Sequence, residues 1–391
     1  MNSVKRVGLV ALLPVAVITA LALLAGAVTA GGKGGSKPGA SYTLQVLSGG
    51  NGSQAYGVND SRQVVGLALG GAVVWETPSA GPTCLGYGVS AAAINTSGEV
   101  VGSGWVDAML WERLDGQWHS LQLPAPNVCA SATDINNNGE IVGSDRDAWT
   151  ILLWQPDDGY AEPTVLPGYW RDSQSGLSAW YDVGGCWIND GGQIAGTMWF
   201  SNDSGTVFGG WGFLITPEDT DDDGRPDLWF RDDDGDGAND LQVKLPPLAG
   251  GIWCEVSAIN SLGQVVGSST DSGGWYHAVV WEVNELGQVS VTDLGTGKPR
   301  CHTYGRDIND RGQVVGESIE WSKYGHYIVS RTGLLWQNGH AANLENLIKD
   351  TAGLLYLSPY SISNARAIVG YGKPSGDGDC CAFIAIPSSD P

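Results

Sequence analysis

The ten-residue stretch AINSLGQVVG at residues 258–267 decides the fold, because the chain contains seven versions of it. The other six are GVNDSRQVVG (57–66), AINTSGEVVG (93–102), DINNNGEIVG (134–143), WINDGGQIAG (187–196), DINDRGQVVG (307–316) and SISNARAIVG (361–370). A phrase that recurs through the chain indicates a repeat architecture, in which each unit buries its apolar face by stacking on its neighbours.

One complete unit, residues 255–297, predicts four short antiparallel strands. EVSAIN and QVVGSS predict the first and second strands from their apolar residues. The turn SLG joins them, and its glycine supplies a positive φ. HAVVWE (277–282) and VSVTDLG (289–295) predict the third and fourth strands. Four strands in about 40 residues form the blade of a β-propeller.

The spacing between copies varies from 36 to 71 residues, so the insertions fall in loops and a β-helix with equal rungs is disfavoured. The third strand also recurs, and five copies carry tryptophan at one position. These are Trp75, Trp111, Trp154, Trp281 and Trp336. A residue repeated in most blades predicts packing between blades rather than ligand stacking.

The two ends of the repeat region complement one another. YTLQVL (42–47) reads as a fourth strand with no blade before it, and AFIAI (382–386) as a third strand with no fourth after it. Pairing them would complete the seventh blade and remove exposed sheet edges. The sequence therefore predicts an all-β, seven-bladed β-propeller over residues 41–388, closed by its N-terminal strand.

The N-terminus predicts an export signal over residues 1–30 and a flexible linker over 31–40. Lys5 and Arg6 precede an apolar stretch that ends in the small residues AGAVTA (25–30). The apolar stretch is long, so an uncleaved anchor is the alternative. We expect a secreted, periplasmic or cell-surface monomer with no further membrane span.

The composition argues against nucleic-acid binding, because the net charge is −22 and a nucleic-acid binder needs a basic surface. Export places the cysteines where disulfides survive. We expect bridges between neighbouring loops, in a pairing that the sequence does not give. The seven cysteines are Cys84, Cys129, Cys186, Cys254, Cys301, Cys380 and Cys381.

Much of the charge lies in an insertion over residues 217–241 of the fourth blade. It reads DTDDDGRPD (219–227) and DDDGDGAND (232–240), two copies of D-x-D-x-D-G-x-x-D. Alternating carboxylates with a turn glycine suit Ca²⁺, and a disordered acidic loop is the alternative. The predicted structural Ca²⁺ ligands are Asp219, Asp221, Asp223, Asp227, Asp232, Asp234, Asp236 and Asp240. The pattern resembles the calcium loops of thrombospondin type 3 and dockerin-like segments.

The phrase [AD]IN-x-x-G-[QE]-[VI]-V-G, followed by HAVVWE and TDLGTG, resembles the HAF-repeat extracellular family over roughly residues 42–386. The closest match to the eponymous His-Ala-Phe is His277-Ala278-Val279, with valine in place of phenylalanine. The resemblance implies secretion or a place in the cell envelope. It implies no catalytic residues.

The long loops between blades and between second and third strands share one face, where functional residues of repeat proteins collect. Aromatic residues in these loops suit sugar rings or protein hot spots, and packing of the loops on one another is the alternative. The candidate ligand residues are Trp170, Trp180, Tyr181, Trp199, Trp253, Trp275, Tyr276, Trp321 and Tyr324.

The sequence favours a binding or scaffold protein that recognises an extracellular glycan or protein. The alternative is a carbohydrate-active hydrolase or lyase with its site on the same face. Such an enzyme needs paired acids or a cluster of His, Tyr and Arg at the axis. The chain has no G-x-S-x-G, H-E-x-x-H or P-loop motif, and it identifies no catalytic residue.

Overall fold

The computed structural model describes residues 42–388 apart from 88, 128, 172–176, 203–207, 296–300, 323–326 and 376–377, and gives only the backbone of 169–171, 177 and 182–184. The described residues form seven antiparallel sheets, six of four strands and one of five. They are the blades of a β-propeller, as the sequence predicts. No helix among these residues is long and apolar enough to cross a membrane.

The blades are numbered in chain order, and each begins with its inner strand except where stated. Blade 1 contains Gln54–Val58, Val64–Ala68, Gly71–Trp75 and Thr83–Tyr87. Blade 2 contains Ser90–Ile94, Val100–Ser103, Ala108–Leu114 and Gln117–Leu123. Blade 3 contains Ala130–Ile135, Ile141–Asp145, Thr150–Trp154 and Thr164–Leu166, with the 3₁₀ helix Pro156–Asp158. Blade 4 contains Leu177–Ile188, Ile194–Asn202, Phe208–Ile215 and Gln242–Leu245, preceded by the short strand Tyr169–Arg171.

The remaining blades follow the same order. Blade 5 contains Cys254–Ile259, Val265–Thr270, Tyr276–Val283 and Val289–Asp293. Blade 6 contains Cys301–Ile308, Val314–Trp321, Ile328–Gln337 and His340–Asn343, and the helix Leu344–Leu347 follows it. Blade 7 contains Leu354–Ile362, Ile368–Pro374 and Cys381–Pro387, and its outer strand is Tyr42–Val46.

The N-terminal strand closes the ring. Tyr42–Val46 pairs antiparallel with Cys381–Pro387, so that Tyr42 lies opposite Pro387 and Val46 opposite Phe383. Leu44 packs in a buried cluster with Phe383 and Leu357. The pairing confirms that one blade is assembled from both ends of the repeat region.

The asparagine of the repeated motif links each blade to the next. Its side-chain N–H donates to the backbone carbonyl at the corresponding position of the following blade, over 2.9–3.2 Å. The donors are Asn59, Asn95, Asn136, Asn189, Asn260 and Asn309. In all six of these blades Oδ1 also accepts the N–H four residues later, as in Asn260 with Gln264 (2.9 Å). The recurring asparagine is therefore a structural residue.

The recurring tryptophans fasten the third strands to the preceding blades. The indole N–H of Trp281 donates to the carbonyl of Pro246 at 2.8 Å, and that of Trp154 to Pro124 at 2.7 Å. Trp75 makes the same bond to Ser48 across the ring closure, at 2.6 Å. All five side chains are buried, which is the structural role that their repetition predicts.

The prediction of disulfides is wrong, because none of the seven cysteines forms a disulfide with another in the described part of the chain. Cys186, Cys254 and Cys301 are buried in the inner strands of three different blades. The Cys254 thiol accepts the Gly212 N–H at 3.2 Å, and the Cys186 thiol lies 3.5 Å from Thr133 Oγ1. A disulfide needs Cα atoms within about 7 Å. These cysteines instead pack separately as small apolar side chains.

Candidate functional site

The propeller has two chemically different faces. The motif face carries the motif turns and the acidic insertion. The indole N–H of Trp229 in the insertion donates to the carbonyl of Gly192, in the motif turn of blade 4, at 2.8 Å. The long-loop face lies opposite and carries the connections between blades. This places the insertion away from the predicted ligand face.

A repeated β-bulge points one residue per blade toward the axis. In six blades the inner-strand register shifts three residues before the motif Asn or Ser. The bulge residues are Tyr56, Ala92, Thr133, Ser257, Arg306 and Tyr360, and they line the axial cavities. A bulge re-aims a side chain. The large residues Arg306, Tyr360 and Tyr56 belong to blades 6, 7 and 1, so the axial channel is asymmetric.

Arg306 sits in a charged cluster at the wall of an axial cavity of about 560 Å³. Its Nη2 bonds Glu317 Oε1 at 2.8 Å, and Arg331 Nη1 bonds Glu317 Oε2 at 3.0 Å. The Ser358 hydroxyl donates to the same carboxylate at 3.2 Å. The Glu317 side chain is only 3% exposed. One buried carboxylate therefore pairs with two guanidinium groups.

Two tyrosine rings flank the guanidinium of Arg306. Its Cζ lies 5.6 Å from the ring centroid of Tyr304 and 5.6 Å from that of Tyr360. Burial raises the pKa of both phenols, and it raises the pKa of Tyr56 to about 12. All three hydroxyls therefore stay protonated at neutral pH, and that of Tyr56 donates to Gln54 Oε1 at 3.1 Å.

Further rings extend this cluster to the rim of the long-loop face. Tyr56 and Tyr360 have centroids 5.6 Å apart, and Tyr304 stacks on Tyr276 at 5.6 Å. Tyr276 leads to His302 at 5.7 Å, and His302 lies 5.0 Å from Trp275 and 6.3 Å from Trp321. We define the aromatic belt as Tyr56, Tyr360, Tyr304, Tyr276, His302, Trp275 and Trp321. None of these residues is fully buried.

His302 is held in one orientation within the belt. The backbone N–H of Tyr276 donates to His302 Nδ1 at 3.1 Å, which requires that Nδ1 be unprotonated. Burial, together with the neighbouring His277, lowers the pKa of His302. The ring is therefore neutral at pH 7 and behaves as an aromatic surface.

A second aromatic group lies between blades 4 and 5. The rings of Trp199, Phe208 and Trp253 have centroids 5.5–5.8 Å apart. The Trp253 indole N–H donates to Glu255 Oε1 at 3.0 Å. Glu255 also lines the axial cavity that contains Arg306.

The structure brings together five of the nine predicted ligand residues. Trp275, Tyr276 and Trp321 belong to the belt, and Trp199 and Trp253 to the second group. Trp180 lies directly opposite Trp199 in the register of blade 4.

Tyr181 corrects the predicted set, because it is a core residue. Its side chain is 2% exposed, packs on Phe213 and donates to Gln242 Oε1 at 2.8 Å. Trp170 and Tyr324, also predicted, lie outside the described side chains.

Sequence reasoning missed the residues nearest the axis. Tyr56, Arg306 and Tyr360 occupy the position three residues before the motif Asn or Ser. Comparing that position across copies reveals three large residues among small ones. The signal was present in the sequence, but its direction depends on the bulge.

The acidic insertion gathers carboxylates in two loops. Oxygen atoms of Asp219, Asp221 and Asp223 lie within 4.8 Å of one another, and so do those of Asp232, Asp234 and Asp236. The loops have the same local geometry: Gly224 N–H donates to Asp219 Oδ2 at 2.8 Å, and Gly237 N–H to Asp232 Oδ2 at 3.0 Å.

The remaining two predicted ligands make other bonds. Asp227 accepts the N–H and hydroxyl of Thr220, at 3.0 and 2.7 Å, and these bonds lower its pKa. Asp240 Oδ2 accepts the Asp233 N–H at 2.7 Å. Each loop therefore presents three grouped carboxylates, a donor set of hard oxygen atoms that suits Ca²⁺.

No protein-family model and no curated protein matches the chain. Among solved structures the chain is similar to YCF48 from Cyanidioschyzon merolae, with 11% identity, a TM-score of 0.50, and coverage of 90% of this chain and 100% of that one. It is also similar to a virginiamycin B lyase from Staphylococcus aureus with quinupristin (12% identity, TM-score 0.42, 88% and 99% coverage) and to TolB from Acinetobacter baumannii (11%, 0.35, 77% and 63%). At these identities the likeness concerns the fold alone.

Proposed function

We propose that this propeller is an exported binding protein that holds a carbohydrate on its long-loop face. The observation that carries the proposal is the aromatic belt, a series of incompletely buried rings from the axial cavity to the rim. Ligand sites combine aromatic walls with a few polar groups that fix orientation, and sugar rings offer apolar faces and hydroxyls to match. The predicted signal over residues 1–30 supports a place outside the cytoplasm.

The test is a glycan array on the purified protein, followed by titration of tryptophan fluorescence with each hit. We expect Trp275→Ala or Trp321→Ala to weaken binding at least about tenfold, which corresponds to roughly 1.4 kcal/mol. The control is Trp105→Ala, because Trp105 is 85% exposed in a second-to-third-strand loop outside the belt. Equal effects of all three variants, or no glycan bound, would sink the proposal.

A carbohydrate-active enzyme is the second candidate, and the axial cavity favours it. Arg306, Tyr56 and Tyr360 converge there with the carboxylate of Glu255, groups that could orient and protonate a sugar. The same hits separate the two functions. An enzyme releases shortened or unsaturated products on incubation, whereas a binding protein returns the glycan unchanged.

We also propose that the acidic insertion binds Ca²⁺ in a structural role. The two groups of three carboxylates support this, as does the position of the insertion on the motif face. Their mutual repulsion would otherwise weaken the compact loop, and a divalent cation offsets it. The resemblance to HAF-repeat proteins supports the extracellular setting, where calcium is abundant.

A further inference from the structure

Arg306, on the wall of the axial cavity, belongs to a cluster of side chains with an excess positive charge within an acidic protein. Arg306 and Arg331 share the single carboxylate of Glu317, so their cluster has a net charge of +1. The whole chain has a net charge of −22. The cluster also departs from the repeat, because other bulge positions hold Ala92, Thr133 and Ser257. A charged residue at a position where other blades have small uncharged residues indicates a function specific to Arg306.

The environment of Arg306 determines how a ligand could reach it. Tyr304 and Tyr360 flank the guanidinium. The Arg306 side chain is 34% exposed and lines the cavity, so a ligand reaches the part of the guanidinium that faces the cavity and not the buried Nε. A guanidinium matches a carboxylate in charge and in the geometry of its N–H donors.

We propose that Arg306 receives the carboxylate of an acidic sugar, so that the protein binds a uronate-containing polysaccharide. This inference rests on the proposed carbohydrate binding and names its ligand class. The uronate carboxylate lies at the Arg306 guanidinium, and the Tyr360 phenol donates to a ring hydroxyl. The Tyr56 oxygen, whose own proton is donated to Gln54 Oε1 at 3.1 Å, accepts from another hydroxyl, and the rest of the chain follows the aromatic belt.

The cavity favours a sugar over a peptide terminus. Its volume of about 560 Å³ suits one or two sugar residues. Glu255 lines the same cavity, where it accepts hydrogen bonds from hydroxyls but repels further carboxylates. The belt then provides several successive rings, which match a chain of pyranose units.

The test compares acidic oligosaccharides with their methyl esters by isothermal titration calorimetry. The probes are oligogalacturonate, oligomannuronate and oligoglucuronate, because esterification removes the charge and keeps the sugar. We expect at least one acid form to bind at least about tenfold more tightly than its ester. This comparison uses the unaltered protein and needs no variant to fold.

Three variants then locate the carboxylate. Arg306→Gln should reduce the affinity for the acid form to that for the ester. Arg331→Gln should preserve the acid-to-ester ratio, because Arg331 bonds the same Glu317 but lies outside the cavity lining. Glu255→Gln should tighten binding of the acid form, because it removes a like charge from the cavity.

The outcomes distinguish this inference from the proposed function. Binding of neutral glycans or esters with no preference for the acid form overturns the Arg306 assignment and leaves carbohydrate binding intact. Absence of binding to any glycan overturns both. Arg306-dependent binding of peptides with free carboxylates, without glycan binding, overturns both in favour of a protein partner.

Discussion

Two arginines occupy backbone positions that the repeat otherwise gives to glycine. Arg62 and Arg366 have φ values of 65° and 67°, close to those of the turn glycines Gly263 (75°) and Gly312 (67°). Side chains other than glycine pay roughly 1–2 kcal/mol for this left-handed conformation. The turn geometry of the ring therefore overrides local preference at these two copies.

We expect Arg62→Gly to raise the free energy of unfolding by about 0.5–1 kcal/mol, because the strain relieved exceeds the entropy that glycine adds to the unfolded chain. Urea denaturation measures the change. Gly312→Ala is the matched control and should lower the free energy of unfolding. The added Cβ has room, since it meets only Gln264 Oε1 at 3.8 Å, so the loss comes from the left-handed backbone conformation. A loss of stability in Arg62→Gly would show that the arginine side chain makes a contact worth more than the strain.

Two motif aspartates hold neighbouring inner strands together at an electrostatic cost. Asp134 accepts the N–H of Ile188 at 3.0 Å, and Asp307 that of Ile362 at 2.8 Å. Burial raises the pKa of Asp134 to about 7 and that of Asp307 to about 6. Since the unfolded value is about 3.9, the folded state binds more protons between pH 4 and these values. The contribution of each aspartate to the free energy of unfolding therefore falls as the pH rises from about 4 to its folded pKa.

We expect Asp134→Asn to gain stability relative to the wild type between pH 4 and pH 7, by up to about 1.4 kcal/mol per pH unit. Asparagine mimics the protonated acid and does not titrate. Denaturation midpoints across pH measure the difference, and Asp307→Asn should show the same trend ending near pH 6. Parallel wild-type and variant curves would contradict the raised pKa values.

The acidic insertion is an element whose order depends on both packing and charge. Trp229 anchors it to blade 4, and Arg231 bonds Glu218 at 2.6 Å within it. The carboxylate loops at its tips are exposed. Packing therefore fixes the base of the insertion, while the loop tips retain their mutual repulsion.

Calcium should raise the unfolding temperature of the protein, and a chelator should reverse the effect. Saturation at about 100 times Kd contributes roughly 2.7 kcal/mol per site. The double variant Asp221→Asn with Asp234→Asn should lose most of the response, because each change removes one grouped carboxylate. Asp222→Asn is the control for one of these two changes, since it removes one charge at a position between the ligands. Thermal unfolding with and without calcium gives the answer, and an unresponsive wild type would end the proposal.

The whole molecule depends on a closure of only five residues. Tyr42–Val46 covers the edge of Cys381–Pro387 and completes the seventh sheet. An uncovered edge strand is a template for aggregation. Closure thus serves both stability and solubility.

Leu44→Asp should lower the free energy of unfolding by about 3 kcal/mol or more and promote aggregation, because it places a charge in a site that is 9% exposed. Thr43→Asp is the control: Thr43 lies on the same strand with its side chain exposed, and its effect should stay within about 0.5 kcal/mol. Thermal unfolding followed by light scattering distinguishes the two. If the variants behave alike, the N-terminal strand does not hold the ring together.

The repeat was sufficient to predict seven blades and their closure, because strand alternation, turn glycines and buried tryptophans are local signals repeated many times. The candidate site was only partly predictable. Trp275 and Trp321 were found as aromatics in long loops, whereas Tyr181 was misplaced because it lies within the strand Leu177–Ile188, where alternation decides which side chains are buried. The disulfide prediction was wrong because neither an extracellular setting nor the number of cysteines determines how far apart the thiols lie in the fold.

The HAF-repeat resemblance and the calcium ligands remain predictions of the sequence. Asp219 and Asp232 owe their identification to spacing alone, since a loop ligand set is local. The Arg306 cluster is different: Glu317, Arg331 and Ser358 come from separate strands and two blades. Short-range pattern therefore fixes the blades and their order. The curvature of the closed ring and the bulge in six of the inner strands bring Arg306, Tyr304, Tyr360 and Tyr56 together at the axis.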